Sequence, residues 1–291
     1  MTQIQPMTQE IIRQLLPART ADSNKGTYGK LLNVSGSREC AGCAILSSLA
    51  AMRSGLGMVK VISDSGNFAP LMNIVPEALF SSDTGYTAVM DSMNWASAAL
   101  IGPGIGTGEA ARDVLAELLN AYTDLPLVID ADGINLISES KGLREKLYEK
   151  AAREPVIITP HLMEMSRLSL KRIADIKQDM QGTATQIAKT YNVTVVLKDA
   201  RTVVVSPDGR AVINTTGNNG MSTAGSGDVL AGVIASFLAQ GCDAFTAASI
   251  GVYIHGAAGD AAAERYGVRG MKAMDIAEAL PEVLLKADSI R

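Results

Sequence analysis

The stretch that most constrains this chain is residues 214–241, where Asn-Thr-Thr-Gly-Asn-Asn-Gly-Met-Ser-Thr-Ala-Gly-Ser-Gly-Asp-Val-Leu runs straight into an apolar segment. Gly217, Gly220, Gly225 and Gly227 lie close together here, so the backbone can turn sharply and approach a ligand without side-chain obstruction. Val229, Leu230, Val233, Ile234, Phe237 and Leu238 then recur at helical spacing, and Gly241 supplies a stop. A glycine-rich loop that opens a helix aims unpaired N–H groups and the positive end of the helix dipole at one point, which makes an anion site. Asp228 admits two readings. A carboxylate in a first helical turn is favourable in its own right, or it is a base held beside a bound phosphate, ready to take a proton from a hydroxyl.

The remaining pattern specifies what this loop is mounted on. Apolar strands are expected at Leu31–Val34, Met58–Ile62, Ala78–Phe80, 97–101, Leu127–Ile129, 155–159 and Asn192–Leu197, with helices over residues 8–16, 41–54, a stretch before 97, the segment after Gly108, and 171–190. Val203–Val205, a Ser206-Pro207-Asp208-Gly209 turn and Ala211–Asn214 follow without intervening helices, which predicts antiparallel hairpins at a sheet edge. Helices close the chain at 243–265 and 274–286. Alternating strands and helices, then hairpins, then helices specify a three-layer α/β domain with a mostly parallel sheet, and residues 1–291 read as one domain.

Composition and motifs exclude several classes. A net charge of −4, with no basic run, argues against nucleic acid as a main partner. No apolar run is long enough for a membrane span, and Met1-Thr2-Gln3-Ile4-Gln5-Pro6 shows no leader pattern. Three cysteines argue against a disulfide framework, so a cytoplasmic location is expected. Gly29-Lys30 precedes its strand, whereas a nucleotide P-loop follows one. Gly102-Pro103-Gly104-Ile105-Gly106-Thr107-Gly108 follows a strand but lacks dinucleotide-fold spacing. Cys40-Ala41-Gly42-Cys43 opens a helix, a setting for thiol chemistry, and it supports a distant alternative, a thiol redox protein. His161 lies just past a strand and three residues before Glu164, whereas His255 reads as a satisfied polar group on a packed helix.

Thr223-Ala224-Gly225-Ser226-Gly227-Asp228 resembles the glycine–x–glycine–aspartate signature of ribokinase-like kinases. With Thr216-Gly217-Asn218-Asn219-Gly220-Met221 before it and Thr159-Pro160-His161-x-x-Glu164 upstream, the chain resembles the ADP- or ATP-dependent NAD(P)H-hydrate dehydratases from about Lys25 to its end. The resemblance implies a ribokinase-like fold in which Gly225, Ser226 and Gly227 form the anion hole and Asp228 is the base. It implies that Ala44, Gly104, Gly106 and His161 contact the hydrated nicotinamide. Lys198, Asp199, Ala200, Arg201 and Thr202, with Asn218 and Gly227, would contact the adenine nucleotide. Asp199 stands where glycine is common, and Cys43 where another small residue is usual.

The same resemblance implies Mg²⁺ near Glu164 and Asp130, ADP or ATP as phosphoryl donor, NADHX or NADPHX as substrate, and a homotetramer. It also implies coupling to a separate epimerase, since no second domain is legible here. The nearer alternative is a ribokinase-like kinase of a small hydroxymethyl compound or sugar. Many such enzymes carry asparagine where His161 stands.

Overall fold

The computed structural model describes residues 4–121 and 123–288. Met1, Thr2 and Gln3, on which part of the leader expectation rests, lie outside them, as do Tyr122 and residues 289–291 of the single-domain reading.

The described strands are β1 (Gln5–Pro6), β2 (Lys30–Val34), β3 (Met58–Ile62), β4 (Leu79–Ser81), β5 (Ala98–Ile101), β6 (Leu127–Ile129), β7 (Val156–Ile158), β8 (Thr194–Leu197), β9 (Val203–Val205) and β10 (Ala211–Ile213). They form one sheet in the order β1-β10-β9-β8-β7-β6-β5-β2-β3-β4. Pairing is parallel from β4 to β8 and antiparallel from β8 through β10. The expected hairpins are present but not outermost, because β1 adds to β10 in parallel, Gln5 opposite Val212. Two residues are too few to carry a periodic signal, and Pro6, lacking an N–H, suits an edge.

Side chains alternate between two cores. Leu31, Val59, Leu100, Val128, Ile157, Val196 and Val204 face one side. Leu32, Ile62, Ile101, Ile129, Ile158, Val195 and Val205 face the other. This period of two, buried on both faces, is why the strands read as continuous apolar runs. Helix Ser226–Ala239 is buried along almost its whole length, between the sheet and helices Ala41–Arg53 and Ala244–Gly270. An apolar surface all round requires that position.

Some helices depart from the sequence reading. The single helix expected over 171–190 is two, Ile173–Gln178 and Met180–Tyr191. Asp179 breaks it, because its carboxylate caps the second helix by accepting from Gly182 N at 2.8 Å. Phe68–Ile74, Asp132–Glu139, Lys141–Ala151 and Leu162–Ser169 are further helices that the sequence reading did not resolve. Chain order reverses between β2 and β5, the switch point beyond whose carboxyl ends ligands bind in open α/β sheets.

Candidate active site

The loop before helix Ser226–Ala239 is held by its neighbours. Gly225 is the N-cap, at φ +90°, and a Cβ there would meet Leu46 Cδ1 at 2.4 Å. The left-handed backbone favours glycine, and an added Cβ would also require the Leu46 side-chain tip to shift and would crowd Ala273 Cβ at 3.1 Å. Behind it, Asp260 accepts from Gly217 N and from Asn218 Nδ2, each at 2.9 Å. Asn218 also donates to Gly259 O, and its Oδ1 accepts from Gly220 N. The Asn218 side chain is therefore engaged in shaping the loop. Asp260, which sequence reading missed, ties the loop to helix Ala244–Gly270; a lone acid in an Ala-rich run was the signal.

A group of carboxylates surrounds one lysine at the strand ends. Asp130, buried past β6, accepts from Thr159 Oγ1 at 2.6 Å and from Lys198 Nζ at 2.7 Å. An isolated parallel bridge between His161 and Lys198, three residues past the last β7–β8 pair, keeps the two segments side by side beyond the strand ends. Burial works against the Lys198 charge, but Asp130 and Glu164 outweigh it and hold its pKa above the ordinary value. Burial raises Asp228 to about 6, with Asp130 adding to the effect and a hydrogen bond from Cys43 opposing it. A base with that value is mostly ionised at neutral pH yet close enough to it to transfer protons efficiently.

His161 and Glu164 form a capping box at helix Leu162–Ser169. His161 Nδ1 accepts from Met163 N and Glu164 N, so in the neutral ring Nε2 carries the proton, 3.1 Å from Glu164 Oε1. Glu164 Oε2 accepts from His161 N at 2.8 Å. Burial lowers the His161 pKa, helped by Lys198, and burial pushes Glu164 up to about 7. Just beyond β6, Ala131 sits at φ +49°, ψ −116°, a conformation costing a non-glycine residue on the order of 1–3 kcal/mol. This strain sits between Asp130 and Asp132.

A cavity of about 420 Å³ opens beside this group. Of the expected nucleotide contacts, Lys198, Asp199, Ala200, Thr202, Asn218 and Gly227 line it, together with His161 and Ser226; Arg201 does not. His255 is buried, as expected of a packed helix, and its Nε2 lies 3.4 Å from Ser226 Oγ. It also lines the cavity wall, a position no local pattern marks.

Ala44, Gly104 and Gly106 lie outside that cavity lining, around Asp132 and the cysteines. Gly106 N donates to Asp132 Oδ2 at 2.8 Å. A Cβ on Gly104 would meet Cys43 Sγ at 2.6 Å. Ala44 is fully buried beneath. Cys43 reaches Asp228 from this side. Asp228 and Gly225 are not among the residues that line the cavity, which Ser226 and Gly227 reach; Cys43 lies between Asp228 and Gly104 of the loop after β5. Among the described residues, no group of three or more His, Cys, Asp or Glu is arranged to hold a metal ion, and no helix is long and apolar enough to cross a membrane.

A glycine-capped helix start and its first-turn aspartate, set over the carboxyl ends of parallel strands, define a ribokinase-like domain. The chain belongs to the NAD(P)H-hydrate dehydratase family, whose model matches residues 31–282. The ADP-dependent (S)-NAD(P)H-hydrate dehydratase of Neisseria meningitidis is 38% identical over 265 residues, covering 90% of this chain and 87% of that protein. The bifunctional NAD(P)H-hydrate repair enzyme Nnr of Moorella thermoacetica is 36% identical over 283 residues; this chain spans 52% of its length. Among solved structures, the ADP/ATP-dependent NAD(P)H-hydrate dehydratase of Bacillus subtilis, co-crystallised with ATP/Mg²⁺, matches with a TM-score of 0.88 at 30% identity. That match covers 99% of this chain and 100% of the other.

Proposed function

We propose that this chain dehydrates the S-epimer of hydrated NADH or NADPH at the expense of ADP or ATP, repairing a damaged cofactor. The observation that carries the reading, within this family, is Asp228. It is a first-turn carboxylate raised to about 6, on the helix start whose Ser226 and Gly227 line the cavity, and it neighbours Cys43, against which Gly104 packs. Water is a poor leaving group from the nicotinamide ring. In this reading Asp228 takes the proton of the C6 hydroxyl as its oxygen attacks the terminal phosphoryl group of the nucleotide. Phosphate then leaves from C6 with the C–O bonding pair, a proton is lost from C5 to solvent, and the C5–C6 double bond of the ring re-forms. The N–H groups at Gly225 to Gly227 stabilise charge on the transferring group. The Ser226 N–H, which donates to Thr223 O at 3.3 Å, is the least free of them.

Lys198, Asp199, Ala200, Thr202 and Asn218 border the nucleotide in this reading, and His161 presents its ring to the nicotinamide. Mg²⁺, when bound, neutralises phosphate charge. Glu164 Oε2 accepts from His161 N and Oε1 lies 3.1 Å from His161 Nε2, and Asp130 Oδ1 is held by Lys198 and Thr159. The donor set therefore fits an ion held by phosphate oxygens and water, with Glu164 and Asp130 in outer positions. A homotetramer, a cytoplasmic location consistent with three free cysteines, and a separate epimerase complete the proposal.

The test is the near-ultraviolet absorbance of reduced nicotinamide on mixing the protein with chemically hydrated NADH, Mg²⁺ and ADP or ATP. A nucleotide-dependent rise with release of free phosphate is expected, and comparing the nucleotides identifies the donor. No rise with either, in folded protein, overturns the reading; a stable phosphorylated product from a small alcohol would establish the kinase instead. Asp228→Asn should keep nucleotide affinity and lose on the order of a hundredfold or more in turnover. Near-normal turnover refutes the base role.

A further inference from the structure

The proposed reaction makes no use of the Cys40 and Cys43 sulfurs, yet they occupy the site. Both are free thiols, with Sγ atoms 2.7 Å apart at the start of helix Ala41–Arg53. Cys40 is the N-cap residue but makes no side-chain capping bond, so its sulfur is not committed to the helix. It is half-buried, whereas Cys43 is buried. Gly104, at φ +64°, backs directly onto the pair: a Cβ there would lie 2.6 Å from Cys43 Sγ and 3.0 Å from Cys40 Sγ. On the other side Cys43 neighbours Asp228, and each influences the ionisation of the other.

We propose that Cys40 and Cys43 are an oxidisable dithiol, closed to a disulfide by low-molecular-weight disulfides, and that closure weakens Asp228 as a base. The second half rests on the base reading above. A disulfide bond is about 2.0 Å long, so the sulfurs need to move only by tenths of an ångström. The accessible Cys40 thiolate attacks one sulfur of the small disulfide, forming a mixed disulfide and releasing one small thiol. The Cys43 sulfur then attacks Cys40 Sγ, its proton passes to Asp228 and on to solvent, and the second small thiol leaves. Two protein S–H bonds are lost, one S–S bond forms, and the small disulfide is reduced to two thiols. Burial, reinforced by the Asp228 carboxylate, pushes the Cys43 thiol up, so a free Cys43 thiolate is disfavoured and proton transfer must accompany the attack.

Closure removes the Cys43 S–H, whose interaction lowers the Asp228 pKa, while Asp130, Lys198 and Asp132, the charged groups that also act on Asp228, stay in place. If this raises Asp228 from about 6 by about one unit, turnover falls about fivefold near pH 6 and by little near pH 8. A merely steric effect would not vary with pH.

The experiment treats the full chain with glutathione disulfide, then reads intact mass, peptide mapping and turnover across pH. The expected result is a loss of two hydrogens with Cys40 joined to Cys43 and Cys242 still alkylatable. Turnover should fall mainly at low pH, return on treatment with dithiothreitol, and be insensitive to oxidant in Cys40→Ser relative to that variant's own reduced state. A persistent glutathione adduct, or no crosslink, overturns the proposal. So does a crosslinked enzyme with unchanged turnover near pH 6. Absence of turnover in the reduced protein would instead refute the dehydratase reading, and the mass measurement would still decide whether the dithiol closes.

Discussion

Replacing Asp130 with Asn isolates the electrostatics that set the proposed base. Asp130 is 1% exposed and bonded to Thr159 and Lys198. After burial, its carboxylate is the largest influence raising Asp228 to about 6. Asparagine keeps the shape and an acceptor oxygen but removes the charge. The Lys198 cation, no longer neutralised by Asp130, then acts more strongly on Asp228. Both changes lower the Asp228 pKa, while burial, the larger cause, is untouched, so a shift of about one unit (~1.4 kcal/mol) is expected. The sign follows from the role: a base works when ionised, so a lower pKa keeps activity to lower pH. With the acid limb near 6, about one tenth of Asp228 is ionised at pH 5; after the shift about half is. The rate at pH 5 relative to pH 8 should therefore rise about fivefold in Asp130→Asn, even though absolute turnover falls. The assay is kcat/KM against pH, followed by phosphate release. Glu164, at about 7, titrates nearby, so the profile is repeated with Glu164→Gln, where a limb near 6 must persist if Asp228 is its source. A limb that stays put or moves up in Asp130→Asn refutes the assignment.

Burial lowers His255 from 6.5 to about 4, so the folded state resists its protonation and stability is lost as pH falls from about 6.5 through 4. His255→Gln should flatten that loss by up to about 3 kcal/mol in denaturant titrations, and an unchanged slope counts against it. Gly225→Ala meets both the φ of +90° and Leu46; a loss of about 2 kcal/mol or more in thermal unfolding, with turnover abolished, is expected, and a neutral variant would show that the loop can rearrange. Asp260→Ala releases Gly217 N and Asn218 Nδ2; KM for nucleotide should rise about tenfold with a smaller change in kcat, and an unchanged KM would mean that the loop is held without Asp260.

What was legible in the sequence followed the range of the interactions. The central strands carry their own signal, because burial on both faces demands continuous apolar runs such as Val203–Val205 and Val195–Leu197. The glycine loop and Asp228 were legible because turn chemistry and helix start are consecutive. The Asp130–Lys198 pair joins residues 68 apart in sequence, and no local pattern reports which strand end faces which. What Asp260 and His255 act on was illegible for the same reason: each lies on a long Ala-rich helix and meets a partner tens of residues away. The break at Asp179 was legible in principle, since aspartate caps helices, but the flanking apolar spacing outweighed it.

The grouping of charges around Lys198 carries one further consequence. Asp130, Glu164 and Asp228 all act on this single cation, so full ionisation would leave the site with net negative charge where a nucleotide phosphate is to bind. Two features of the structure relieve this. Burial keeps Glu164 near 7, so about half of it is neutral at physiological pH, and its oxygens are turned toward the N–H groups of His161. The phosphate side, by contrast, is faced by the N–H groups and positive dipole end of helix Ser226–Ala239. The carboxylates are thus set to one side of the anion path, and the negative charge left at Asp130 and Asp228 favours a nucleotide that arrives with a divalent cation over the free anion. Nucleotide affinity should accordingly rise with Mg²⁺, and more steeply above pH 7, where Glu164 ionises, than below pH 6. A titration of ADP binding with and without Mg²⁺ at the two pH values measures this, and equal Mg²⁺ dependence at both would refute the electrostatic account.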